Sequence, residues 1–323
     1  MRQAKKSRIA VVIPCFQVKN KIMPVLEKIG HEIQYIYLVD DACPEHTGRY
    51  VQSVSKDKRI KYIFHEGNQG VGAAVISGYK AAIADAADIV VKIDGDGQMN
   101  PELIREFIHP ILHGACDYSK GNRFHDLTFL QSMPIIRLFG NSFLSLINKA
   151  VSGYWNIMDP TNGFTAIHIS IIEMLPLDKI AKRYFFESDM LFWLSTVRAV
   201  VKDIPMKSVY ANEISNLRIR QALIYFPFKY LKRLLQRIFY QYLLRDFNAG
   251  TVMILSGIPL FLFGFYTGIL NWQESIRTGI PATSGTVMLA ALPLLVGIQF
   301  IIVAIIYDIS SVPETPVQKI LKD

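Results

Sequence analysis

Two carboxylates stand one residue apart in Asp94-Gly95-Asp96-Gly97-Gln98, reached directly from the apolar run Ile89-Val90-Val91-Lys92-Ile93. At the carboxyl end of a buried strand, such a pair makes a hard-oxygen site for Mg²⁺ or Mn²⁺. An ion held there can neutralise a diphosphate as it leaves. Asp-Gly pairs are also ordinary turn chemistry, so the motif gains meaning only from its neighbours.

Those neighbours form an ordered pattern. Residues 9–13, 35–39, 60–64, 89–93 and 115–119 read as short strands, and 21–29, 47–55, 71–84 and 101–112 as helices between them. The βαβα order predicts a mostly parallel sheet covered by helices on both faces. Ligands of such sheets sit at the carboxyl ends of the strands. Pro14, Asp40-Asp41, Asn68-Gln69-Gly70 and Asp94-Gly95-Asp96 each follow a strand, so all fall on that one edge. Asn68-Gln69-Gly70-Val71-Gly72 is a glycine-rich helix entry, where the backbone can approach a ligand and the helix end favours an anion. No G-x-G-x-x-G follows the first strand, which excludes a Rossmann dehydrogenase.

Charge and apolarity are unevenly placed. Residues 249–270 and 284–307 carry no charge, and each is long enough to cross a hydrocarbon core of roughly 30 Å at about 1.5 Å per residue. Pro259 and Pro293 are compatible with membrane helices. The formal net charge is +8. Arg218, Arg220, Lys229, Lys232, Arg233, Arg237 and Arg245 precede the first span with no acidic residue among them, which marks that side as cytoplasmic. On a helix starting near Phe228, Leu231, Leu234, Leu235, Ile238 and Tyr242 share one face. Lys229, Lys232, Arg233 and Arg237 share the opposite one, as expected for a helix lying in the membrane surface. Cys15, Cys43 and Cys116 lack a C-x-x-C pair and read as reduced thiols. The apolar run after the basic residues 1–8 stops at Pro14, too short for a signal peptide.

The ordered set Val12-Ile13-Pro14, Val39-Asp40-Asp41, Asn68-x-Gly-x-Gly, Asp94-x-Asp-x-Gln and Lys120-Gly121-Asn122-Arg123 resembles the family 2 glycosyltransferases of GT-A fold. Within them the chain is most similar to the polyprenyl-phosphate glycosyltransferases, the group that includes dolichol-phosphate mannose synthase. The resemblance covers about residues 8–217 and extends to the membrane hairpin. It implies that Pro14, Phe16, Val39, Asp41 and Gly95 frame the nucleotide-sugar, and that Asp94, Asp96 and Gln98 hold Mg²⁺ or Mn²⁺. Arg123 and Arg137 would hold the diphosphate, to which a planar guanidinium gives bidentate bonds. The alternative for Asp41 is a cap on the helix that begins near Thr47, and for Arg137 a solvated helix surface. Gln17 and Val18 replace the family's usual Asn-Glu, which leaves the choice of nucleobase open. Asp159-Pro160-Thr161-Asn162-Gly163-Phe164 resembles the family's acceptor loop, and Glu187-Ser188-Asp189 stands where inverting members keep a general base. Ser215 and Arg218, just before the basic helix, suit the phosphate of a lipid acceptor or the donor diphosphate, and the resemblance implies a functional arginine there, matched by Arg218.

The expected architecture is therefore α/β: a GT-A (Rossmann-like, mostly parallel) catalytic domain over 1–217, basic amphipathic interface helices over 218–247, a transmembrane hairpin over 248–310 and a tail over 311–323. The expected reaction is an inverting transfer from a UDP- or GDP-sugar to a polyprenyl phosphate at a plasma (inner) membrane, with the catalytic domain and both termini cytoplasmic. Asp189, with Asp159 and Glu187, would act on the acceptor side. A phosphate acceptor is already anionic, whereas a hydroxyl needs a carboxylate base. A transferase acting on a hydroxyl of a lipid-linked sugar and a catalytically silent nucleotide-sugar-binding scaffold are the alternatives. Nucleic acid is not an expected partner, and a homo-oligomer is compatible with the sequence.

Overall fold

The apolar run Ile9–Cys15 becomes β1, and it is buried because it lies near the middle of the sheet. The computed structural model describes residues 7–125, 135–207 and 219–321. β1 pairs in parallel with β2 (Tyr35–Asp40) on one side and β4 (Ile89–Lys92) on the other, and β2 pairs in parallel with β3 (Ile60–Phe64). Strands covered on both faces need continuous apolar side chains, as β1 and β4 show until Lys92. Three further strands complete the order β3-β2-β1-β4-β6-β5-β7: β5 (Tyr118–Asn122), β6 (Thr165–His168) and β7 (Val201–Pro205). β6 runs antiparallel to both β4 and β5, while β5 and β7 are parallel. The mostly parallel α/β architecture is thus the expected one, with β6 and β7 added to it.

Strand β5 starts three residues later than its sequence suggests. Lys120, Gly121 and Asn122, expected to follow it, are part of it and are buried. The strand tolerates them because each polar side chain has a partner. The Lys120 ammonium donates to the Asn162 carbonyl, and the Asn122 amide donates to Asp203 Oδ2 at 3.1 Å.

The chain divides into two compact units, with Leu235–Val312 forming one of them. In that unit the helices Ala249–Thr278 and Ser284–Ser310 are long and apolar enough to cross a membrane, and their surfaces are mostly exposed. Both extend beyond the uncharged segments. The intervening Glu274 and Arg277 sit in the last turns of the first helix, paired at 2.7 Å. Asn248 and Thr283 cap the two helices. The helices touch backbone to backbone: a Cβ on Gly264 would stand 2.5 Å from the Leu294 nitrogen, so a larger residue there pushes the pair apart. Asp308 near the end of the second helix pairs with Arg237 and accepts from the Tyr242 hydroxyl.

The basic helix runs over Ile219–Arg237 and continues as a π-helical stretch over Ile238–Arg245. Each of its two faces is divided: on the apolar face Tyr242 is buried and Leu234 packs on a core cluster, and on the basic face Lys229 and Lys232 are exposed. Phe228, Leu231 and Leu235 point outward, whereas Arg233 forms an ion pair with Asp189 and Arg237 forms one with Asp308. Lys229 covers the Phe185 ring, and Lys232 is exposed. An outward apolar stripe still suits a helix lying on lipid, but two of its four cations hold the protein together. The tail is also anchored. The Val317 and Gln318 N–H groups each donate to the buried Asp117 carboxylate at 2.9 Å.

Candidate active site

A cleft of about 800 Å³ opens at the carboxyl ends of β1, β2 and β4. Pro14 and Phe16 line it after β1, Asp41 after β2, and Asp94, Gly95 and Asp96 after β4. Thr161 and Gly163 reach it from the loop before β6, Glu187 from the helix Phe186–Thr196, and Phe226 from the basic helix. The structure thus brings together seven of the residues singled out from sequence, on the edge that the strand order selects.

Asp41 also builds the wall beside it. Its Oδ1 accepts from the Gln69 N–H at 2.9 Å and lies 2.7 Å from His65 Nδ1, while Oδ2 accepts from the Gly70 N–H at 2.7 Å. The carboxylate therefore fixes the Asn68-Gln69-Gly70 turn. The neighbouring Asp40, not Asp41, holds the start of the helix Thr47–Val54, through the Gly48 N–H at 2.7 Å.

Asp94 and Asp96 form a charged pair with incomplete compensation. Burial and the neighbouring Asp94 hold the Asp96 carboxyl above the usual carboxylate range. Asp94 Oδ1 meets the Lys92 ammonium at 2.8 Å. Among the described residues no cluster of three or more His, Cys, Asp or Glu side chains is arranged to hold a metal by itself. Two hard carboxylates facing an open cleft fit a Mg²⁺ or Mn²⁺ ion whose shell is completed by substrate oxygens and water. Gln98 is not among the cleft-lining residues; its N–H donates to Asp96 Oδ1 at 3.0 Å.

Other expected residues are placed elsewhere. Val39 is wholly buried in β2, so its side chain belongs to the sheet's core. Arg123 and Asp159 meet each other in a two-pronged pair, at 2.7 and 2.9 Å, with Asp159 fully buried. Asp189, also fully buried, is held by Arg233 at 2.6 and 2.9 Å and by the Ala181 N–H at 2.8 Å. Of the three acidic side chains expected on the acceptor side, Glu187 alone lines the cleft. Ser215 and Arg218 lie outside the described residues, as does the side chain of Arg137.

The cleft also holds residues that sequence reasoning passed over: Lys92, Arg183, Tyr184 and Phe226. Lys92 had a legible signal, a lone charge inside the run Ile-Val-Val-Lys-Ile. Burial alone would lower its pKa, but Asp94 and Glu187 reverse that and hold the ammonium above its usual range.

Behind the cleft, burial pulls the Lys120 ammonium down to about 8 and pushes the Asp203 carboxyl up to about 6. A carboxyl whose folded value exceeds the unfolded value of about 4 stabilises the protein fully below pH ~4 and loses that contribution as pH rises through about 6. Asp203→Asn keeps an acceptor for the Met158 N–H and the Asn122 amide. The variant is expected to gain stability over the parent by roughly 1–3 kcal/mol between about pH 4 and pH 7. Unfolding midpoints at the two pH values check this; a constant difference would refute it.

A largely parallel α/β sheet with paired carboxylates on its ligand-binding edge agrees with the GT-A architecture expected from the sequence. The sequence model of glycosyl transferase family 2 matches residues 10–175, about half of the chain, and the chain belongs to that family. It is 29% identical over 236 residues to the UDP-N-acetylglucosamine–dolichyl-phosphate N-acetylglucosaminyltransferase of Methanococcus voltae, covering 69% of this chain and 93% of that one. It is 22% identical over 225 residues to the polyprenol monophosphomannose synthase of Mycolicibacterium smegmatis, covering 67% of this chain and 84% of that one. Among solved structures it resembles glucosyl-3-phosphoglycerate synthase from Mycobacterium tuberculosis, in complex with Mn²⁺, UDP and glucosyl-3-phosphoglycerate. The TM-score is 0.52 at 17% identity, covering 72% of this chain and 80% of that one, a likeness of fold.

Proposed function

We propose that this enzyme transfers a sugar, with inversion, from a UDP- or GDP-sugar to a polyprenyl phosphate at the cytoplasmic face of a membrane. The observation that carries the reading is the cleft at the strand ends, with Asp94 and Asp96 on its floor, in a chain that also carries two exposed apolar helices. The relatives named for dolichyl-phosphate and polyprenol acceptors support the lipid, and the basic stretch before the first span supports the orientation.

Pro14 and Phe16 frame the base, and the Asp41-held turn closes the wall beside it. Asp94 and Asp96, with Gln98, would hold Mg²⁺ or Mn²⁺ together with the donor's diphosphate. Such an ion supplies positive charge where the nucleoside diphosphate departs. Arg123 and Arg137 would add bidentate bonds to the diphosphate, Arg123 then exchanging its Asp159 partner for phosphate oxygens. Ser215 and Arg218 would meet the acceptor phosphate. The attacking oxygen of a phosphate is already anionic near neutral pH, so Glu187 orients the acceptor or the sugar and need not take a proton. The Lys92 ammonium at 3.3 Å from its Oε1 suits that orienting role.

The test is mass spectrometry of lipids after incubating the purified protein with Mn²⁺, undecaprenyl phosphate and a panel of UDP- and GDP-sugars. A metal-dependent sugar–phosphoprenol product is the expected result. Nucleotide release only when a glycolipid hydroxyl is supplied would move the acceptor to that hydroxyl. Absence of turnover with every acceptor would leave a nucleotide-sugar-binding scaffold.

A further inference from the structure

The side chain of Lys92 is 2% exposed, and its Nζ lies 2.8 Å from Asp94 Oδ1 and 3.3 Å from Glu187 Oε1. The two carboxylates come from different parts of the chain, one from the loop after β4 and the other from the first turn of the helix Phe186–Thr196. The surroundings leave room for this bridge. A Cβ on Gly163 would stand 2.3 Å from Lys92 Nζ and 2.8 Å from Asp94 Oδ2. The sheet itself does not need a cation here. An apolar residue would continue the run Ile89-Val90-Val91 and would avoid the desolvation of an ammonium. A charge kept in a strand at that cost points to work at the cleft, which both carboxylates line.

We propose that Lys92 is a positioning residue, the shared counter-ion of the metal-site carboxylate Asp94 and the acceptor-side carboxylate Glu187. It sets the direction of both groups and competes with the divalent cation for Asp94. This rests on the metal-dependent transfer proposed above. The charge balance gives the role an unusual signature. Around Lys92, the side chains of Asp94, Asp96 and Glu187 set three negative charges against its one; Asp41 and Arg183, which also line the cleft, are the same in every variant. Removing the ammonium makes the cleft more attractive to a divalent cation, while it releases Glu187 from its place. Metal binding and turnover therefore move in opposite directions, whereas a residue that only supports the fold would weaken both.

The experiment titrates the full-length protein with Mn²⁺ alone, following free Mn²⁺ by electron paramagnetic resonance, and measures kcat at saturating Mn²⁺ in the lipid assay. Lys92→Met, close in length and uncharged, is expected to bind Mn²⁺ roughly tenfold more tightly and to lose at least about tenfold in kcat. The double variant Lys92→Met with Glu187→Gln restores the net charge and leaves fewer unpaired carboxylates. It is expected to bind Mn²⁺ near the parent value and roughly tenfold more tightly than Glu187→Gln alone, and that difference carries the test should the single variant not fold. Unchanged or weaker Mn²⁺ binding by Lys92→Met, or parent-like kcat, overturns the role of Lys92. For the double variant, affinity well below the parent's, or no tighter than that of Glu187→Gln alone, does the same. A parent protein that binds no Mn²⁺ and turns over without it overturns the metal-dependent reading instead.

Discussion

Replacing Asp96 by Asn is expected to reduce kcat/KM for sugar transfer by about 10³-fold or more while raising the thermal midpoint of the metal-free protein. The two effects have one cause. Asp96 is a half-buried carboxylate placed beside Asp94, and both burial and that neighbour disfavour its charge. The asparagine keeps an oxygen for the Gln98 N–H and removes the repulsion. It also removes half of the carboxylate pair that would hold the cation, and so several kcal/mol of charge stabilisation at the departing diphosphate. Mn²⁺ supplies a second readout: it raises the midpoint of the parent by binding the folded state, and has little effect on the variant. Differential scanning fluorimetry with and without Mn²⁺, alongside the lipid assay, measures both. A variant that turns over normally, or one that loses activity and stability together, would sink this account of Asp96.

The edge that carries Asp96 was readable because parallel strands are written as short apolar runs and because one rule places ligands at their carboxyl ends. β1 to β4 fall where the runs predict them, and Pro14, Asp41 and Asp94 sit at their ends as expected. The second half of the sheet was harder to read. β6 is four residues long and enters antiparallel one residue after Asn162-Gly163, too short for its Thr-Ala-Ile-His to show a strand period. β7 reads Val-Lys-Asp-Ile-Pro and lies at the sheet's edge, where polar side chains are tolerated. β5 hides a lysine and an asparagine because Asn162 and Asp203 satisfy them, partners that lie 42 and 81 residues away.

The same limit governs the site. Residue types are local, whereas partners are not. Arg123 and Asp159 were each assigned to a ligand, one to the diphosphate and the other to the acceptor side, yet they face each other across 36 residues of chain. The basic helix was legible as amphipathic, but not which residues of each face the protein would use. Helical periodicity separates leucines from arginines without saying that Asp189 and Asp308 wait for the arginines.

That pairing sets the second large effect. Arg233→Met leaves Asp189 fully buried with the Ala181 N–H as its remaining described partner. Breaking a buried pair from one side costs about 3–5 kcal/mol. The loss is expected as a lower unfolding midpoint and faster proteolysis within residues 179–190. Activity falls as well, because Glu187 lies two residues before Asp189 and Phe226 reaches the cleft from the helix that Arg233 anchors. Asp189→Asn alone therefore cannot separate a general base from a structural anchor, since it also leaves the Arg233 guanidinium without its charge partner. The double variant Arg233→Met with Asp189→Leu does separate them. It replaces the pair by apolar side chains, a change that is often neutral for stability. If Asp189 serves only to hold the helix, the double variant recovers both stability and most of the transfer activity. If Asp189 takes a proton from the acceptor, the double variant is stable and inactive. Its fully buried carboxylate, held on both oxygens, favours the first outcome.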